Sequence, residues 1–160
     1  MAVTRAYGPA MSDFDFLAGT WDVHNRYLLK RLAGCDDWEE FPGRTVASRH
    51  FDGNASFDEV HFPTRGYNGL TVRFRDPETG LWSIYWASSR NGSLDPVPVV
   101  GRWEGDVGTF YSDEVWEGTP IRCRFVWTRI DDTHARWEQA FSTDGEQTWE
   151  TNWVMEFTRV

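Results

Sequence analysis

Asp22, His24 and Arg26 occupy every second position of the segment Thr20-Trp21-Asp22-Val23-His24-Asn25-Arg26-Tyr27-Leu28. Side chains alternate across a strand, so these three, with Leu28, share one face. Turned into a closed interior, His24 would serve as a general base or hydrogen-bond donor. Arg26 beside it would hold a carboxylate or stabilise an enolate or phenolate. Turned outward, the same face is solvated surface, and Trp21, Val23 and Tyr27 form the core side; that odd set is the more apolar. Glu138, mid-strand in Arg136-Trp137-Glu138-Gln139-Ala140-Phe141, carries the same two readings. Inside, desolvation would favour its acid form and make it an acid/base group or ligand anchor. Outside, it would pair with an arginine on the surface. His24, Arg26 and Glu138 are therefore the candidate catalytic groups.

Other positions suit the lining of a binding site. Tyr85 and Trp86 are adjacent and face opposite sides, so one of them lines the interior, Tyr85 offering a phenol or Trp86 a stacking surface. Arg122 and Arg124 share a face of Ile121–Ile130, whereas Cys123, Phe125 and Trp127 take the other. Arg124 and Trp127 are both candidate contacts, and Asn152 and Trp153 pose the same choice of face. The four histidines, His24, His50, His61 and His134, show no His-x-His or His-x-x-x-His spacing, so no metal is expected. No phosphate-cradling glycine loop, Gly-x-Ser-x-Gly elbow or Cys-x-x-Cys occurs, and no cofactor is expected.

Positioning such groups falls to strands. Short alternating segments run through Thr20–Leu28, Trp38–Phe51 (interrupted near Pro42-Gly43), Phe57–Phe62, Tyr67–Arg75, Leu81–Ser88, Val99–Glu104, Gly108–Trp116, Ile121–Ile130, Ala135–Ser142 and Thr148–Val160. Turn signals separate about ten strands at roughly 8–12-residue spacing, the pattern of an all-β barrel or sandwich. Asp144-Gly145 predicts a tight hairpin turn. Beyond it, Trp149, Thr151, Trp153, Met155 and Phe157 alternate with more polar residues. Ser89–Pro98 is the longest irregular stretch. Ser12 precedes Asp13-Phe14-Asp15-Phe16-Leu17 as the N-cap of a short helical turn. Residues 1–11 read as a flexible tail and 12–160 as a single domain.

A chain of 160 residues is long enough to bury a core. Its 16% aromatic content, with 10 Trp, implies either an aromatic β-core or an aromatic-lined cavity. The net charge of −9, with Lys30 the only lysine, argues against nucleic acid as a partner. No apolar run suits secretion or a membrane span. Cys35 and Cys123 read as free thiols in a reducing cytoplasm. The surplus of aromatics leaves room for a homodimer interface.

The motif Gly19-Thr20-Trp21 after a helical turn resembles the opening of calycin folds, that is lipocalins, fatty-acid-binding proteins and nitrobindins. Phe14-Asp15-Phe16-Leu17-Ala18-Gly19-Thr20-Trp21-Asp22-Val23, with Ser142-Thr143-Asp144-Gly145, Thr148-Trp149 and Trp153–Arg159, looks like a bacterial lipocalin-like family of unknown function. The resemblance covers roughly residues 12–160. It implies a closed antiparallel barrel of about ten strands in which Trp21 plugs one end, and it brings no established activity. Nitrobindins hold haem through a proximal histidine in such a barrel, but His134 falls in the Asp131-Asp132-Thr133-His134 turn and no histidine maps onto that role. Ser142-x-Asp144-x-x-x-Thr148-Trp149 also resembles the Asp-box hairpin of sialidases, a structural turn, with Glu146 where a glycine is expected.

The leading expectation is binding of a small aromatic or apolar molecule inside the barrel, its polar end held by His and Arg. The alternatives are a cofactor-free isomerase, cyclase or decarboxylase using the same cavity, and haem binding.

Overall fold

The computed structural model describes residues 13–160. Its strands are β1 (Gly19–Leu28), β2 (Trp38–His50), β3 (Ala55–Phe62), β4 (Tyr67–Arg75), β5 (Trp82–Ser88), β6 (Ser93–Leu94), β7 (Val99–Glu104), β8 (Val107–Trp116), β9 (Thr119–Asp131), β10 (His134–Ser142) and β11 (Glu150–Arg159). They hydrogen-bond in the order β4-β3-β2-β1-β11-β10-β9-β8-β7-β5-β6, and a β4–β5 pairing closes the ring. The two-residue β6 only flanks β5, so the barrel is closed, antiparallel and ten-stranded. Closure leaves no long sheet edge free to pair with another chain. No helix among the described residues is long and apolar enough to cross a membrane.

A 3-10 turn, Asp13–Leu17, stoppers one end. The proposed N-cap Ser12 lies outside the described residues, as does the rest of the tail. Phe14 and Leu17 drop into the barrel, and Trp21 is fully buried beneath them, its indole donating to the Leu17 carbonyl at 2.8 Å. The Arg159 guanidinium lies 4.2 Å from the Trp21 ring centroid and donates to the carbonyls of Phe16 and Ala18. Trp82 donates to Asp13 at 3.0 Å. Buried indoles need such acceptors, because an unpaired N–H in apolar surroundings costs free energy.

Alternation decides what lies inside. Trp21, Val23 and Asn25 of β1 are buried, whereas Asp22 and His24 are exposed. Trp153, Met155 and Phe157 of β11, Trp127 and Phe125 of β9, Trp137 of β10 and Trp82, Ile84 and Trp86 of β5 join them in one aromatic core or at its border.

Three local expectations are corrected. β2 runs unbroken through Pro42-Gly43, in continuous register with β1. At Pro42 it has only that one neighbour, since β3 first pairs at Arg44, so the missing N–H breaks no ladder bond. The Asp144-Gly145 hairpin is not a tight two-residue turn but a loop, 143–149, ordered by side chains. Strand β11 starts at Glu150 and carries a bulge: Gln139 pairs with Trp153 but Ala140 with Thr151, leaving Asn152 extra. A one-residue slip inverts the faces. Trp149 therefore packs outside the barrel, 4.2 Å from the Arg124 guanidinium, instead of continuing the inward row.

Candidate ligand cavity

The inward residues of β2–β5 and β7–β11 leave a cavity of about 120 Å³ inside the barrel. Its walls are mainly aromatic: Trp86, Trp127, Trp137, Trp153, Phe125 and Phe157, with Ile84, Val60, Val99 and Met155. Trp153 stands perpendicular to both Trp86 (84°, centroids 6.1 Å apart) and Trp137 (85°, 5.4 Å). Its indole donates to the buried Asn25 at 3.0 Å, and Asn25 donates to the Phe41 carbonyl at 3.2 Å, which fixes the ring. Trp86 pairs with Thr71, and its indole leans over the diagonal neighbour Gly69 of β4; a Cβ there would come 2.0 Å from the ring. This close approach requires glycine.

Polar groups enter at defined points. Arg73 (2% exposed) and Asp58 (7% exposed) form a buried ion pair, and Arg73 also donates to Ser56 at 3.1 Å. The guanidinium rests against Phe14 (4.8 Å) and Trp127 (5.6 Å), so it separates the plugged end from the cavity. Thr45, Thr71 and Gln139 add neutral polar groups, and Gln139 donates to Asn152 at 2.8 Å. Glu114 lines the cavity from β8, accepting a short hydrogen bond from Ser112.

The cavity reaches solvent at the side. β5 pairs with β7 only from Trp82↔Gly101 to Ile84↔Val99. Beyond Ile84 the two strands part, and the 89–98 connection fills the gap, tied down by Asp95 N–H donating to the Trp86 carbonyl at 2.7 Å. Asp95 and Val97 of this connection are solvent-exposed and also line the cavity. The barrel end opposite the plug is roofed by Arg31, whose guanidinium stacks on Tyr27 (4.5 Å) and Trp116 (4.9 Å). Burial lowers the Arg31 pKa, since desolvation penalises its charge. Burial likewise raises the Tyr67 pKa at this end, where Arg90 lies over its ring at 3.7 Å.

Of the residues predicted to make a site, Trp86, Trp127 and Trp153 line the cavity. The others do not. His24 is on the outer face, 2.6 Å from Glu40, and Arg26 stacks outside on Trp38 at 4.7 Å. Glu138 pairs with Arg136 on the outer wall. Tyr85 is cross-strand from Val72 on the outer face, and Arg124 is held under Trp149. Asn152 is buried at the bulge and touches the cavity only through Gln139. For the β1 residues the reason is that the odd set, Trp21, Val23 and Asn25, takes the interior. The residues named for acid/base catalysis thus stand outside the cavity. All four histidines are exposed, so none offers an axial ligand inside, and a cavity of about 120 Å³ does not accommodate a macrocycle; the residues present do not fit haem.

Asp58, Arg73, Glu114, Gln139 and Trp137 were not among the predicted site residues. Their signal was weak but present: Ser56, Asp58, Val60 and Phe62 alternate with Phe57, Glu59 and His61, so a charged residue sits in an apolar inward row. Compared with known proteins, the chain matches no family model and no curated sequence.

Proposed function

We propose that this protein binds a small molecule of about one ring in size within its barrel, in the manner of a calycin-type carrier. The observation that carries this reading is the aromatic cavity of about 120 Å³ that meets solvent under Asp95 and Val97. For scale, an engineered apolar cavity of about 150 Å³ holds one benzene molecule. Burial of an apolar body against Trp86, Trp137 and Trp153 supplies the affinity, and the polar lining orients one end. The predicted role of a buried arginine passes from Arg26 to Arg73, which is positioned by Asp58. Both cysteines are unpaired, which supports a reducing, cytoplasmic setting.

Native mass spectrometry of the purified protein, before and after denaturation, tests the reading. A small mass that leaves on denaturation supports it. An empty protein whose tryptophan fluorescence does not respond to any one-ring aromatic or aliphatic probe overturns it.

A further inference from the structure

We infer that the polar end of the ligand is a cation, so that the cavity takes a small organic ammonium compound. This deepens the binding reading and rests on it.

The first argument is charge. Asp58, Asp95 and Glu114 line the cavity against a single cation, Arg73. Asp58 is consumed by Arg73, and Arg31 on the roof feels the Glu150 carboxylate. Among the described residues, Glu114 and Asp95 have no ion-pair partner. Their carboxylates accept only neutral hydrogen bonds, Glu114 from Ser112 and the Cys123 thiol, and Asp95 from the Val97 N–H at 3.1 Å. Unpaired carboxylates beside low-dielectric aromatic walls favour a positive charge placed between them.

The second argument is the walls themselves. Indole faces carry negative potential and attract a cation within about 6 Å of the ring centroid. Trp153 perpendicular to Trp86 and Trp137 gives the cavity indole faces in two orientations. The chain already satisfies other interior aromatic rings with its own cations: Arg73 on Phe14 and Trp127, and Arg31 on Tyr27, Trp116 and Phe141. Among the described residues, no Arg or Lys stacks on Trp86, Trp137 or Trp153. Three indoles of the cavity wall are thus left without an internal cation, whereas the fourth, Trp127, carries Arg73.

The test compares choline with its neutral carbon isostere, 3,3-dimethyl-1-butanol, by tryptophan fluorescence and calorimetry on the full chain. Choline is expected to bind at least tenfold more tightly, with the preference shrinking as salt is added. Glu114→Gln should weaken choline at least fivefold more than it weakens the alcohol. Trp153→Phe, which keeps a smaller ring in place, should weaken choline more than the alcohol. Equal or tighter binding of the alcohol overturns the cation and leaves the binding reading standing. Failure of both probes, when native mass spectrometry shows another, uncharged occupant, does the same. Failure of both with an empty, unresponsive protein overturns the two readings together.

Discussion

Arg73 and Asp58 test how strictly the interior excludes water. Two opposite charges this deeply buried cost solvation free energy, recovered only while each has the other. Arg73→Met leaves Asp58 unpaired and should destabilise the fold by about 3–5 kcal/mol in urea denaturation. Replacing both, Asp58→Leu with Arg73→Met, should recover most of that loss. A single-variant cost under about 1 kcal/mol would mean that water hydrates the pair through the cavity. His24→Ala and Glu138→Gln should behave oppositely. Both side chains sit on the outer wall, so stability should change by less than about 0.5 kcal/mol, and ligand binding should not change. Loss of binding in either would contradict the placement of their faces. The sequence shows that Asp22, His24 and Arg26 share a face, but not which face is inside. Asn25, a polar member of the inward row, blurred that contrast, and its reason for being there is the indole of Trp153, 128 residues away in sequence.

At the scale of elements, alternation was readable wherever strands run straight and failed where β11 bulges. Nothing local marks Asn152 as the extra residue; the bulge is a property of its pairing with β10. The loop before it was readable in part. Ser142, Asp144 and Thr148 form the interlocked turn that their spacing suggested: Ser142 Oγ donates to Asp144 at 2.9 Å, as does the Thr148 N–H. The Thr148 hydroxyl and these other donors hold the Asp144 pKa down at about 2, below its ordinary 3.8. A carboxylate with a depressed folded-state pKa stabilises the fold at pH values above its unfolded pKa, and that contribution is lost as pH falls through the folded value. Asp144→Asn should therefore be less stable than the parent at neutral pH. The gap should close as pH falls from about 4 to about 2, and a pH series of urea midpoints reads this directly. A gap that persists at the acid end would place the stabilisation in hydrogen bonds that survive protonation. On β4, Gly69→Ala drives a methyl into the Trp86 indole. It should cost about 1–3 kcal/mol and shift the tryptophan emission, with the cavity narrowed and probe affinity reduced. Unchanged emission and affinity would show that Trp86 does not depend on that space.

For the whole molecule, turn spacing and strand periodicity left an all-β barrel or sandwich, the ways in which ten short amphipathic strands with no long helix bury one face each, and the resemblance of Gly19-Thr20-Trp21 to calycin openings pointed to the closed barrel that the structure shows. The side opening was not readable. It arises where β5 and β7 cease to pair, and that depends on the path of the 89–98 connection rather than on any local pattern. Closure also gives the barrel an internal reporter. Cys123 points inward from β9, is buried, and has its thiol pKa pushed up mainly by desolvation. Both access and ionisation protect it, since the thiolate is the reactive form. Cys35, in the β1–β2 connection, is partly exposed. In native buffer a thiol reagent should modify one of the two cysteines promptly, identified as Cys35 by peptide mapping. Cys123 should react only as fast as the barrel opens globally, with a rate that rises with urea along the slope of overall unfolding. If Cys123 instead reacts quickly and without dependence on urea, the roof of Arg31, Trp116 and Phe141 opens on its own. Ligands would then have a second, axial route into the cavity besides the gap beneath Asp95 and Val97.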